Sequence, residues 1–296
     1  MEGIYTDLAA ELRELDPDIE GISEKEETDG EILIKRVGIF TESAAKKVNK
    51  AMGNYITLEA NALSARPQEL FRAVSARLGA ELKSLLRFGV ESACILVVGL
   101  GNRAVTPDSL GPRTVEKVYV TRHVKRYIPE AFSAGVPSVA AIAPGVLGMT
   151  GVETTDIIKG VTERTHPNCI IAVDALASRR AERISSTIQL SDSGITPGSG
   201  VGNRREDVSE RTLGVPVIAI GVPTVVRAST IARDIIESRP GYSGPAETEP
   251  DDRFDGLIVT PKEIDSIIED MSGIIADAIN IALFGDSVGE VRNILA

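Results

Sequence analysis

The sequence predicts an α/β protein built on a mostly parallel, twisted sheet with helices on both faces. Two runs, Cys94-Ile95-Leu96-Val97-Val98 and Cys169-Ile170-Ile171-Ala172-Val173, are apolar without alternation, as strands buried on both faces of a parallel sheet are. Strand-like and helix-like segments alternate from residue 94 to residue 284. Trp is absent and aromatics make up only 4%, so the core must rest on Ile, Val, Leu and Ala.

Taken in order, residues 8–31 read as a short helix near 8–15 followed by an acidic, polar loop. Residues 32–40 and 55–60 read as strands with a short helix between them. Residues 67–88 carry apolar positions at helical spacing, and Pro67 suits the start of that helix. Strand 94–98 then leads through Gly99-Leu100-Gly101-Asn102 and a loop into a helix over 109–126. Strand 137–143, helix 153–165 and strand 169–174 follow, the last ending on Asp174. Strands 184–190 and 215–221, helix 224–237, strand 256–260 and a final helix over 261–284 complete the pattern. Residues 238–255 are Pro-, Gly- and acid-rich and read as an exposed loop. Right-handed crossovers would align the strand carboxyl ends along one edge, where such folds place their ligands.

Composition narrows the function. The 296 residues suffice for one large α/β domain or two small ones, and 43% are hydrophobic, enough for a full core. A net charge of −11 disfavours direct contact with nucleic acid. Cys94 and Cys169 both open apolar runs and read as free thiols, with no zinc spacing. Residues 1–7 have neither a basic nor an apolar signal region, and no apolar run is long enough to span a bilayer. The expectation is a cytoplasmic protein with no membrane partner.

Chemistry converges on two carboxylates. Asp108, in Thr106-Pro107-Asp108-Ser109, lies just beyond the first buried strand; a helix N-cap is the alternative. Asp174 ends the Cys-Ile-Ile-Ala-Val run, where a carboxylate must be solvated, paired or functional; capping of the next turn is its alternative. If their strands are close in the sheet, the two face each other, share a proton and can act as general acid and general base on water. Gly99-Leu100-Gly101-Asn102 lacks the third glycine of a dinucleotide fingerprint. His123 and His166 have no spaced partners of a metal motif and read as structural; no Gly-x-Ser-x-Gly elbow is present. No cofactor is expected. Residues 191–203, with four glycines, are either a flexible connection or a loop over the site.

Six stretches together carry a resemblance. They are Gly-Leu-Gly-Asn and Thr-Pro-Asp-Ser-Leu-Gly-Pro within 99–112, Ala-Ile-Ala-Pro-Gly-Val-Leu-Gly-Met-Thr-Gly-Val-Glu-Thr at 141–154, and Val-Asp-Ala-Leu-Ala-Ser-Arg at 173–179. Gly-Ile-Thr-Pro-Gly-Ser-Gly-Val-Gly-Asn at 194–203 and Gly-Val-Pro-Val-Ile-Ala-Ile-Gly-Val-Pro-Thr-Val-Val at 214–226 complete them. In unbroken order over nearly the whole chain, they resemble the germination protease family, which degrades small acid-soluble spore proteins. The resemblance implies a phosphorylase/hydrolase-like fold similar to that of hydrogenase maturation proteases. It implies an atypical aspartic endopeptidase, made as a self-trimming zymogen and assembled as a homotetramer in the spore cytoplasm. The family's catalytic aspartates match Asp108 and Asp174. Its preferred cut precedes a large apolar residue in an acidic-apolar-Ala-small-Glu setting, which Asp7-Leu8-Ala9-Ala10-Glu11 resembles. That implies cleavage between Asp7 and Leu8, with residues 1–7 as pro-segment and 8–296 as a single protease domain. Removing so short a segment is expected to cost few contacts. Arg103 and Arg227 depart from the family pattern, where an aromatic and an acid are expected.

Three other readings compete. A metal-dependent maturation protease of the related fold would need His or Glu ligands near the aspartates. Val-Gly-Leu-Gly-Asn with Thr121-Arg122-His123 is similar to peptidyl-tRNA hydrolase, but the spacing and the acidic charge argue against it. A nucleotide-binding module without catalysis is the last.

Overall fold

The computed structural model describes residues 6–11, 19–86, 88–198, 205–237 and 256–296. The exposed loop expected at 238–255 and residues 12–15 of the first expected helix lie outside them; residues 9–11 are helical.

Among the described residues nine strands form one sheet: β1 (Ile22–Asp29), β2 (Ile32–Ile39), β3 (Gly53–Glu59), β4 (Cys94–Gly99), β5 (Ser138–Ile142), β6 (Cys169–Ser178), β7 (Thr187–Ser191), β8 (Val217–Arg227) and β9 (Ile258–Val259). Their order is β1-β2-β3-β7-β8-β6-β4-β5, with β9 also on β8. The α/β class is as expected, and the two apolar runs become β4 and β6 at its centre. Parallel pairing joins β8, β6, β4 and β5, while the other pairs are antiparallel. The parallel half carries the site, and the antiparallel half forms a wing beside it.

Alternate residues of the central strands feed opposite faces. Ile95, Val97, Ile171 and Val173 join the main core under α2 (Gln68–Leu85) and α9 (Ile264–Phe284). Helix α1 (Glu42–Val48) lies in the connection between β2 and β3. Leu96, Val98, Ile170 and Ala172 face the other way, against Ile158 of α6 (Thr154–Thr165) and Leu213 of α7 (Glu210–Leu213). A third cluster covers that second face at the wing, where Val37, Ile39 and Tyr55 meet Ala44 and Val48 of α1 and Ala9 near the N-terminus. The site opens on this second face. Cys169 is buried and Cys94 half-buried, both as free thiols; burial pushes the Cys169 thiol up to about 12.

Several elements differ from the sequence reading. Residues 22–29, read as polar loop, form edge strand β1, joined to β2 through a two-residue turn in which Gly30 has φ 58. An edge strand pairs on one side only, and this one is held by charge: Arg77 of α2 lies 3.0 Å from Glu27 and 3.1 Å from Asp29, so no apolar alternation marks it. The helix expected over 109–126 is two, α3 (Leu110–Val115) and α4 (Arg122–Tyr127). Buried Thr121 separates them, its hydroxyl donating to Pro137 O and accepting from Val139 N–H of β5. Strand β8 runs on to Arg227, past the 221 expected, so α8 (Ala228–Glu237) starts later; β8 keeps pairing with β6 through a bulge at Leu176/Ala177. After α9 the chain adds α10 (Val288–Leu295). The remaining short helix, α5 (Leu147–Thr150), follows β5.

Leu78 is fully buried in α2, within the core that α2 and α9 share. Leu78→Ala is expected to cost about 2–5 kcal/mol through the cavity it leaves. Urea unfolding with an unchanged slope and a lower midpoint would show it.

Candidate active site

The structure brings Asp108 and Asp174 to one cleft. Strand β4 lies beside β6 with Gly99 opposite Val173, so the loop leaving β4 passes over the strand that carries Asp174. Asp108 ends the short 3-10 turn Thr106–Asp108 ahead of α3. Two glycines let that turn come close. Gly101 has φ 109, and a Cβ there would lie 2.1 Å from Asp108 O. A Cβ on Gly111 would lie 2.3 Å from Leu100 O and 2.5 Å from Val173 O. The Gly-Leu-Gly-Asn motif therefore serves close backbone approach. Its last residue completes the device: Asn102 N–H donates to Asp108 Oδ2 at 2.8 Å.

Asp174 is not at a strand end. Strand β6 continues four residues beyond it to Ser178, and Asp174 is 5% exposed. Its Oδ1 accepts from Ala175 N–H at 2.9 Å. Burial pushes its carboxyl well above the usual carboxylate range, and the nearby charges of Asp108 and then Asp7 push it further. Asp108 is also raised, by burial, against the lowering effect of the Asn102 N–H. Both carboxyls line a cavity of about 580 Å³, with Asn102, Leu176, Thr224 and Asp7 among its walls.

The cleft already holds part of the chain. Asp7 N–H donates to Ala177 O at 2.9 Å, and Ala177 N–H donates to Asp7 Oδ2 at 3.0 Å. Lys50 Nζ lies 3.9 Å from Asp7 Oδ1. Gln189 of β7 then brackets Leu8. Its Nε2 donates to Asp7 O at 3.1 Å, and its Oε1 accepts from Ala9 N–H at 2.8 Å. In the sheet Gln189 pairs with Gly221 and Gly221 with Asp174, so the two side chains share a face, about 10 Å apart across two strand spacings. Leu8 and Ala10 are fully buried. Of the residues expected to be released, Thr6 and Asp7 hold some of the segment's hydrogen bonds, while those of Ala9 and Glu11 belong to residues 8–11. A second cavity of about 530 Å³ adjoins the first and shares Asp7 and Leu176 with it, with Lys50, Tyr55 and Gln189 in its wall.

Other residues fall elsewhere. His123 sits in α4 and His166 caps α6 with φ 47, neither lining the cleft. Arg103 is exposed and pairs with Glu116, while Arg227 is buried at the end of β8. Thr196, Pro197 and Gly198 reach the cleft wall; residues 199–203 of that loop lie outside the described residues. Lys50, Gln189 and Arg183 escaped the sequence reading, because each is a lone polar residue in no motif. Among the described residues, no group of three or more His, Cys, Asp or Glu is arranged to hold a metal ion. No helix among them is long and apolar enough to cross a membrane.

Comparison with known proteins bears on this cleft. The sequence profile of the germination protease family (peptidase A25) matches residues 2–249. The chain belongs to the germination protease family. It is 46% identical to the germination protease of Caldanaerobacter subterraneus subsp. tengcongensis, over 95% of this chain and 94% of the other. It is 42% identical to the germination protease of Clostridium tetani, over 95% of each chain. Against the germination protease of Bacillus subtilis the figure is 40%, over 95% of this chain and 93% of the other. Members of this family are peptidases, and the matched span contains the whole cleft described above except β9 and the residues that follow it.

The raised carboxyl of Asp174 has a consequence for stability. It holds its proton more tightly folded than unfolded, so unfolding releases a proton between the two pKa values. Its contribution is fully present below the unfolded value of about 3.9 and is lost as pH rises through the folded value. Asp174→Asn removes a group whose ionisation favours the unfolded chain, a cost that grows as pH rises from about 3.9 toward the folded value. The variant should therefore melt higher than the parent at neutral pH, with the difference closing as pH falls toward 4. Thermal melts across pH check this, and a variant less stable at neutral pH would contradict it.

Proposed function

We propose that this chain is an endopeptidase that starts the breakdown of small acid-soluble spore proteins during germination. It uses Asp108 and Asp174 as acid and base and is made as a zymogen that trims itself between Asp7 and Leu8. The observation that carries the reading is the cleft itself, where two carboxyls with raised proton affinity share a cavity wall with a buried length of the chain's own N-terminus. Family membership supports the spore cytoplasm as its location and a homotetramer as its assembly.

The two environments divide the roles. Asp174, the more deeply buried and more strongly raised, is the proton donor. Asp108, whose carboxylate is favoured by the Asn102 N–H, is the base. Asp108 takes a proton from water, and the hydroxide adds to the carbonyl carbon. Gln189 Nε2 donates to that carbonyl oxygen as charge develops on it. Asp174 gives its proton to the leaving nitrogen, and the C–N bond breaks. An acid and an amine result, one water is consumed, and Asp108 returns its proton to Asp174 through solvent.

Asp108→Asn and Asp174→Asn should each lower turnover on an unstructured acid-soluble protein by at least about 10²–10⁴-fold, the usual worth of one acid–base group, with the fold retained. Wild-type activity should persist in strong chelator. Wild-type turnover in either variant removes that residue from the role, and loss in chelator restored by one metal favours the maturation-protease alternative.

Self-trimming gives the second test. Mass spectrometry of the purified chain should show a new N-terminus at Leu8, absent from Asp174→Asn. The same cut in the inactive variant, or a cut elsewhere, would sink the zymogen reading.

A further inference from the structure

The N-terminal segment carries a second buried carboxylate, away from the aspartate pair. Glu11 is 2% exposed. Its Oε2 accepts from Arg179 N–H at 2.8 Å and its Oε1 from Arg180 N–H at 3.1 Å. Arg183 Nε lies 3.2 Å from Oε1, and the Thr6 hydroxyl donates to Oε2. Arg183 belongs to the 3-10 turn Ala181–Arg183, is itself buried, and is fixed from its other side by Glu59 of β3. A guanidinium held in this way has little freedom left to lose when it meets a carboxylate.

Position gives this pocket its meaning. Residues 177–183 form one continuous stretch: Ala177 takes Asp7, and Arg179, Arg180 and Arg183 take Glu11. Gln189 holds the carbonyl oxygen of the Asp7–Leu8 bond and the Ala9 N–H one residue on, and so sets the register between the two. With that bond as the one cut, Glu11 is the fourth residue beyond it.

We propose that Arg183, with the backbone N–H groups of Arg179 and Arg180, is a subsite that selects a glutamate four residues beyond the cut in protein substrates. The inference rests on reading residues 6–11 as a self-substrate. Two backbone N–H donors and one guanidinium meet a single carboxylate, an arrangement that suits a charged acceptor better than an amide. Gln at that place keeps the shape but turns N–H against N–H. Asp, one methylene shorter, pulls its oxygens away from the donors.

The test uses the self-processed enzyme and synthetic peptides with the sequence of residues 2–14, carrying Glu, Gln or Asp at the place of Glu11. The Glu peptide should show a kcat/KM about 10- to 100-fold above the Gln peptide, the usual worth of hydrogen bonds to a charged group, with the Asp peptide below Glu. In Arg183→Met the Glu-to-Gln ratio should fall toward 1, whatever the absolute rates, while Arg183→Lys keeps part of it. Equal kcat/KM for Glu and Gln in the wild type overturns the subsite, as does an unchanged ratio in Arg183→Met with native circular dichroism. If Arg183→Met does not fold, the wild-type ratio and Arg183→Lys decide. Absence of any cut between Asp and Leu overturns the self-substrate reading, a result distinct from equal cutting of the Glu and Gln peptides.

Discussion

A carboxyl group in the middle of a buried strand is the constraint from which the rest of the site follows. Water solvates an ionised carboxylate far better than a protein interior does, so Asp174 keeps its proton instead of its charge. Everything around it either deepens that bias or makes use of it. Strand β6 extends past it to Ser178, which denies it the solvent a strand end would supply. The loop leaving β4 brings Asp108 to the same cavity by a backbone approach that only glycine permits at Gly101 and Gly111. Asp108, less buried and favoured by one N–H, stays the easier of the two to ionise. One pair of identical side chains thereby differs in proton affinity, as the proposed donor and acceptor roles require.

The N-terminal segment adds a third carboxylate to this balance. Asp7 raises the proton affinity of Asp174 while its main chain is tied to Ala177 and Gln189. In the proposed zymogen, a segment seated like this would block the cleft in two ways, by filling it and by shifting the charge state of the pair. Both effects need the segment to be held firmly, and the hydrogen bonds of Asp7, Ala9 and Glu11 do so along its length.

Much of this was legible in the sequence, and the parts that were not have physical causes. The doubly buried runs announced β4 and β6, since nothing else requires unbroken apolar residues next to turn glycines. Asp174 was legible because it is a charge placed hard against such a run, and Asp108 because it lies in the loop that leaves the other run. Edge strand β1 was not, because its partners are backbone groups on one side and Arg36 and Arg77 across its charges, which leave no apolar period. The break between α3 and α4 depends on Thr121 meeting β5, a contact set by the sheet and invisible to local pattern. Gln189 and Arg183 were hidden for the same reason. Each matters only because strand order sets it beside residues 7–11, some 170 to 180 positions away in the chain.

The same geometry bears on what a cut at Asp7–Leu8 would do. Thr6 leaves with the released piece, and Leu8 N–H loses the hydroxyl that now accepts from it. In its place comes an ammonium at a residue with no exposed surface. Burying an ion of that kind costs several kcal/mol unless it is paired. Glu11 pulls the other way, since hydrogen bonds to a charged group are worth about 1.5–3 kcal/mol and tethering gives the segment a high effective concentration. Thr6 was also a donor to Glu11, so the cut weakens that hold as it adds the charge. The opposing terms are of similar size, which leaves residues 8–11 poised between staying and leaving. A substrate bringing its own glutamate to Arg183 would compete with Glu11, while Ala9 N–H would still be held by Gln189, so clearing of the segment would need that second contact to give way as well.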